Sequence, residues 1–170
     1  TVYYNGNEGL HHEAVQAFAR IIEMIEDIPA YLKLTDQIAT SGQPSEAQLA
    51  EISQAGYQLV INLALTGREY SLPDEAGLVR SLGMEYIHIP VIWTGPTRQN
   101  LEDFFAAMKA NQDKKIFIHC AANMRASAFM ALYRIKCLGW QADDAFQYML
   151  KIWRPEGVWA TFIQDILQTH

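Results

Sequence analysis

The chain is poor in charge and in cysteine. Only 19% of its 170 residues are Asp, Glu, Lys or Arg, and 50% are hydrophobic. That balance excludes a disordered or solvating segment. Two cysteines, Cys120 and Cys137, cannot form a disulfide framework. There is no basic excess, because 13 basic residues face 19 acidic ones for a net charge of −6. A domain-wide field for nucleic acid is therefore absent, and an anionic ligand would need a local site. No apolar run approaches the roughly 18 residues of a membrane span. Six prolines and ten glycines are scattered, with no repeat and no low-complexity stretch.

What is present reads as one domain over 13–170, preceded by a polar arm over 1–12. Ala14, Phe18, Ile21, Ile25 and Ile28 share a helix face that Pro29 ends. Tyr31–Leu34 and Ile38–Thr40 flank a small turn and predict a hairpin. Ser41-Gly42-Gln43-Pro44 is a turn, after which Ser45 and Gln48 form a capping box for a helix that Gly56 ends. Leu59–Leu63, Tyr86–Val91 and Ile116–His119 predict three buried strands. Helices are expected over Asp74–Leu82, after Thr97, over Ala126–Leu138, Ala142–Trp153 and Val158–Gln168. Strands alternating with helices give an α/β fold in three layers, with a mostly parallel sheet of four to five strands. Ligands of such sheets sit beyond the carboxyl ends of the strands, here at 64–73, 92–96 and 120–124.

The last connection carries the chemistry. In His119-Cys120-Ala121-Ala122-Asn123-Met124-Arg125-Ala126-Ser127 a strand delivers Cys120 into a tight loop, and the loop opens an apolar helix. The first amides of a helix have no intrahelical partner, and its dipole favours negative charge there. Such a loop binds a tetrahedral oxyanion and favours the thiolate of Cys120. Arg125 can fork two oxygens. Ala121 and Ala122 are small enough for close backbone approach, and Asn123 tolerates a left-handed conformation. Ser127 is placed to donate a hydrogen bond to the thiolate.

These residues resemble the cysteine-based tyrosine and dual-specificity phosphatases. SGQPSEAQL, GYQLVINL, LGMEYIHIPV and HCAANMRAS occur in the order of the bacterial branch related to β-lactamase-hydrolase-associated phosphatases. The resemblance covers roughly residues 31–133. It implies a tyrosine-phosphatase-like fold and a metal-free, cofactor-free hydrolysis of phosphomonoesters through a Cys120 phosphocysteine. Arg125 would clamp the phosphate, the backbone of Ala121, Ala122, Asn123, Met124, Ala126 and Ser127 would line it, and His119 would support the loop. The implied partner is a phosphorylated protein or a small phosphoester, in the cytoplasm, or in the periplasm if a leader preceded Thr1.

Two features depart from the family pattern. The usual signature is C-x5-R, whereas this chain has C-x4-R. The usual acidic residue after the IPV-type strand is also missing from Ile92-Trp93-Thr94-Gly95-Pro96. Asp74 and Glu75 are the candidate stand-ins for the general acid. Glu102 and Asp103 read as helix-dipole partners. A rhodanese-like sulfurtransferase using a Cys120 persulfide, which resembles this loop in its shorter C-x4-R form, is the alternative, along with a silent phosphate-binding module. Cys137 reads as an inert core thiol, His88 as a satisfied core histidine, Arg68 as a solvated loop residue, and Trp93 as a pocket wall or simple packing.

Overall fold

The structure, a computed structural model, describes residues 6–169. Seven helices and five strands follow in the order α1 (Gly6–Glu26), β1 (Leu32–Lys33), β2 (Ile38–Ser41), α2 (Glu46–Gln54), β3 (Leu59–Asn62), α3 (Glu75–Ser81), β4 (Glu85–His88), α4 (Arg98–Ala110), β5 (Ile116–His119), α5 (Met124–Leu138), α6 (Ala142–Leu150) and α7 (Gly157–Gln168). The sheet runs β1-β2-β5-β3-β4. Only the β1–β2 hairpin is antiparallel, and β2, β5, β3 and β4 pair in parallel.

Alternation sends side chains of the central strands to two separate cores. Leu59, Ile61, Ile116 and Ile118 face one core, with Phe104, Phe129 and Trp159 from α4, α5 and α7. Val60 and Phe117 face the other, with Ile25 of α1, Leu49 and Ile52 of α2 and Val79 of α3. Helices therefore cover both faces, and the three-layer α/β expectation holds. Every residue of β3 and β5 is buried, as their unbroken apolar runs require.

Several boundaries differ from the sequence reading. The segment read as a polar arm is helical from Gly6 onward, because α1 continues through it. Residues 1–5 of that segment lie outside the described range. β4 is an edge strand with Glu85 exposed and Tyr86–His88 half-buried, not a strand buried on both faces. Its pairing continues past His88, since Ile89 and Val91 N–H groups donate to the Asn62 and Leu63 carbonyls. Ser45 and Thr97 are the expected caps, each in a capping box, and Gly139 ends α5 in the left-handed region. α5 begins at Met124, two residues early, so Arg125 belongs to the first turn of the helix.

Candidate active site

The parallel register sets the site. Ser41 of β2, Asn62 of β3 and His119 of β5 end side by side, so the segments that follow converge at one edge of the sheet. Cys120 follows β5 directly and is 1% exposed. It lines a cavity of about 170 Å³ with Ala121, Ala122, Met124, Arg125 and Trp93. The structure thus brings together the thiol, the loop and the guanidinium that the sequence pattern singled out.

Asn123 turns the loop into α5 with a φ of 62°, the left-handed conformation that asparagine tolerates. Its Nδ2 donates to the Ala30 carbonyl and to Thr40 Oγ1, at 2.8 and 3.0 Å. Those two bonds tie the loop to β2 and to the turn before β1. Asn123 Oδ1 is buried without a partner.

Gly42 presses on the loop from the other side. It forms an antiparallel bridge with Ala122, its N–H donates to the Pro29 carbonyl, and the Gln43 N–H donates to the Ala121 carbonyl. A Cβ at position 42 would sit 2.7 Å from the Ala121 carbonyl oxygen and 2.9 Å from that of Pro29. Only glycine fits between two backbones at that distance. The Ser41–Pro44 turn is therefore part of the site, a role the sequence reading missed. The order of the turn and its position after a strand were visible. Its polarity was not, because β2 was read only as half of a hairpin and not as a parallel neighbour of β5.

Arg125 is 6% exposed, and its Nη1 donates to the Val91 carbonyl at 2.7 Å. Among the described residues it takes part in no ion pair; the pairs are Lys33–Asp36, Lys114–Glu85 and His119–Glu75. A buried cation without a counter-charge is costly. The other buried arginine, Arg134, lies over the Trp140 and Tyr148 rings, and burial pushes its guanidinium value down. Arg125 has instead one carbonyl and a cavity wall, with most of its five donors left over.

Ser127 is placed differently from the expectation. Its Oγ donates to the Met124 carbonyl at 3.1 Å and accepts from Trp153 Nε1 at 3.2 Å, rather than serving the Cys120 sulfur. A hydroxyl inside the first turn of a helix satisfies the nearby carbonyl first. Ala126 is wholly buried behind the same turn. Trp153 links this bond to the mouth of the cavity. Its ring packs tilted against Trp93 and edge-on against Trp159, with centroids 5.4 and 5.9 Å away, and Trp159 Nε1 donates to the Trp93 carbonyl. Trp93 is both packed and, at 42% exposure, open at the cavity rim.

The candidate acids fall elsewhere. Asp74 caps α3, its Oδ1 accepting from the Gly77 N–H. Glu75 is buried against His119, with Oε2 2.8 Å from His119 Nε2, while Oε1 accepts from Gln43 Nε2. Both border a separate cavity of about 130 Å³ with Asn62, Tyr86 and His88, and neither lines the cavity of Cys120. Helix capping and the pairing with a buried imidazole occupy the carboxylates that the sequence offered as proton donors. Burial raises the Glu75 carboxyl, but the hydrogen bonds and charge of His119, with Gln43 and Tyr86, outweigh it and hold it below its ordinary value. Burial and the Glu75 carboxylate push the Tyr86 phenol up.

His119 fits a supporting place, its Nδ1 lying 3.3 Å from the Cys120 carbonyl oxygen. His88 is half-buried on the edge strand, with Nε2 2.6 Å from the Ala64 carbonyl oxygen. Arg68 is exposed, and Asp103 accepts from Gln99 on the surface of α4. Among the described residues no helix is long and apolar enough to cross a membrane, and no group of three or more His, Cys, Asp or Glu is placed to hold a metal ion.

The fold has known counterparts. The chain belongs to the family described as "DSP-PTPase phosphatase fused to NAD+ Kinase", whose pattern matches residues 11–148. It is 36% identical to the "Putative phosphatase (DUF442)" of Shewanella putrefaciens CN-32, covering 85% of this chain and 95% of that one with a TM-score of 0.78. The active form of Tk-PTP shares the fold at 22% identity, over 82% of this chain and 95% of its own, with a TM-score of 0.66. The "Beta-lactamase hydrolase-like protein" of Xylella fastidiosa (strain Temecula1) is 30% identical over 105 residues, which is 60% of this chain. The chain spans about a quarter, 24%, of the length of that curated relative. The fold is that of the tyrosine and dual-specificity phosphatases, and the bacterial branch named from the sequence is the right one.

Proposed function

We propose that this domain hydrolyses phosphomonoesters, aryl phosphates such as phosphotyrosine first among them, through a phosphocysteine on Cys120. The observation that carries this reading is Arg125, a buried guanidinium without a carboxylate partner that shares a cavity with a buried thiol at the start of a helix. A tetrahedral dianion supplies the missing counter-charge, and the first amides of α5 favour it.

The thiolate sulfur of Cys120 bonds to phosphorus as the ester P–O bond breaks, and the electron pair leaves with the ester oxygen. Arg125 and the loop amides stabilise the equatorial oxygens during transfer. Water then attacks phosphorus and loses a proton to solvent, the S–P bond breaks with its electron pair returning to sulfur, and inorganic phosphate leaves as the thiolate is regenerated. No carboxylate stands in the Ile92–Pro96 loop, and Asp74 and Glu75 are otherwise engaged. Leaving-group protonation, worth about 10²–10⁴-fold, then falls to solvent. Good leaving groups such as nitrophenolate are favoured over a tyrosine phenolate, and alkoxides are disfavoured. The exposed rim of Trp93 gives a flat aromatic ester a surface to lie on. The physiological partner in this reading is a phosphorylated protein or a small phosphoester.

The short C-x4-R loop favours a second reading, sulfur transfer through a Cys120 persulfide. Parallel assays of p-nitrophenyl phosphate and thiosulfate, with the chain and with Cys120→Ser, separate the two. Phosphate release that vanishes in Cys120→Ser supports the first reading, and thiosulfate turnover alone supports the second. Activity on neither, with phosphate binding retained, makes the domain a silent phosphate-binding module.

A further inference from the structure

The apolar face of α1 continues past the domain it packs on. Leu10, Ala14, Phe18, Ile21 and Ile25 recur along it at helical spacing. Ile25 is buried and Ile21 half-buried, both packed with Val60 and Phe117 in the second core. Every residue over 9–20, by contrast, is exposed, with Leu10 at 68% and Phe18 at 52%. At 1.5 Å per residue that bare stretch is about 18 Å of helix. α1 ends near the edge of the sheet that holds the Cys120 loop, where the Pro29 carbonyl accepts from the Gly42 N–H, so its bare half leads away from that edge. The other side of the molecule carries a groove with nothing in it. Between α6 and α7 a cavity of about 380 Å³, more than twice that of Cys120, is lined by Phe146, Met149, Leu150, Ile163 and Leu167, with Arg154 at its wall. Leu150 and Leu167 are exposed there. Arg154 is the one charged residue of that lining, and among the described residues it takes part in no ion pair. A bare apolar stripe and a bare apolar groove are each the mark of a contact surface.

We propose that the first half of α1 lies in the α6–α7 groove of a second copy of this chain, with Leu10, Ala14 and Phe18 as the anchors. An amphipathic helix laid into an apolar groove reads as anchors at this spacing. Charge favours the groove over a pairing of two α1 helices. Glu13, Glu23 and Glu26 outnumber Arg20 along α1, so two such helices set like charge against like, whereas the groove presents Arg154 and no carboxylate. Position allows the contact to be made twice. α1 packs on one face of the sheet, and α6 and α7 pack on the other. A two-fold axis lying in the plane of the sheet exchanges the two faces. It brings the α1 of each copy to the side of the other that carries the groove, and the pair closes.

Sedimentation velocity of the full chain tests this. The wild type should pass from one chain per particle towards two as its concentration rises to about 1 mM. Phe18→Glu spoils the helix and Leu150→Glu spoils the groove. Both side chains are already exposed, so neither change enters a core. Each variant alone should raise the dimer Kd about tenfold or more. Leu10→Glu and Leu167→Glu repeat the two perturbations at independent positions and should act alike. An equimolar mixture of Phe18→Glu and Leu150→Glu keeps one intact helix facing one intact groove, and should pair more tightly than either variant alone. A wild type that stays monomeric throughout overturns the proposal, whatever the variants do. Pairing lost in Phe18→Glu but unchanged in Leu150→Glu also overturns it, and sets the two α1 helices against each other instead. So does a mixture that pairs no better than its components.

Discussion

Replacing Gly42 by alanine tests whether the Ser41–Pro44 turn sets the geometry of the Cys120 loop. The added Cβ would stand 2.7 Å from the Ala121 carbonyl oxygen and 2.9 Å from the Pro29 carbonyl oxygen, whereas ordinary contact begins near 3.4 Å. Both obstacles are backbone, so no rotamer change relieves them. The Ala121 carbonyl must retreat by about 0.7 Å, the difference between 3.4 and 2.7 Å. Ala121 follows Cys120 directly, so the Cys120 thiol moves with it. Overpacking of this kind costs about 1–3 kcal/mol. In a domain of this size that lowers Tm by about 2–12 °C. A displacement near 1 Å at a reacting centre costs up to about 10²-fold in rate. Activity should therefore fall by more than the stability loss accounts for, measured as kcat for p-nitrophenyl phosphate well below the melting transition. A Gly42→Ala protein with unchanged Tm and unchanged kcat would refute the claim that this turn braces the loop.

Further expectations concern the other contacts. Arg125→Lys keeps the charge but loses the fork, and should raise KM and lower kcat together in aryl phosphate hydrolysis, with Arg125→Ala more severe. Asn123→Ala strains the left-handed turn and removes the bonds to Ala30 and Thr40, costing about 2 kcal/mol or more in denaturant melts, whereas Asn123→Gly relieves the strain and should cost less. Because Glu75 is held below its ordinary value, its contribution to stability is complete above the usual glutamate range and is lost as pH falls through the lower folded value. Acid unfolding of Glu75→Gln, followed by circular dichroism, should accordingly show a shallower dependence on pH in that window. Trp93→Ala should raise KM for aryl phosphates several-fold while leaving inorganic phosphate binding within about twofold, since it removes the platform and not the anion site.

The fold was largely legible in the sequence because its central strands, β3 and β5, are buried on both faces and print unbroken apolar runs. β4 was harder. Val91 and Ile89 are buried, so the segment reads as core, but its paired residues Glu85–His88 form an edge whose exposure depends on what lies beside it. The thiol, the loop and Arg125 were legible because they are contiguous in the chain. The supports were not. Gly42 with Gln43, Glu75 and Trp153 come from three separate segments, and the parallel pairing of β2 with β5 and the packing of α6 on α5 help bring them to the loop. Ser127 shows the limit of reading a spacing as a role, because a hydroxyl near a helix start has a backbone carbonyl closer than the thiol. Asp74 and Glu75 show the same for carboxylates, whose sequence position after an active-edge loop gives no sign of what they bond.

The chemical species formed at Cys120 decides whether the domain hydrolyses phosphomonoesters through its sulfur. The chain is mixed with p-nitrophenyl phosphate, quenched in acid within the first turnovers, and digested for peptide mass spectrometry. Phosphate bonded to the sulfur of the Cys120 peptide, absent from Cys120→Ser and from Cys137, is the predicted result. Nitrophenol release in Cys120→Ser, or release by the wild type with no phosphate ever trapped on Cys120, would contradict it.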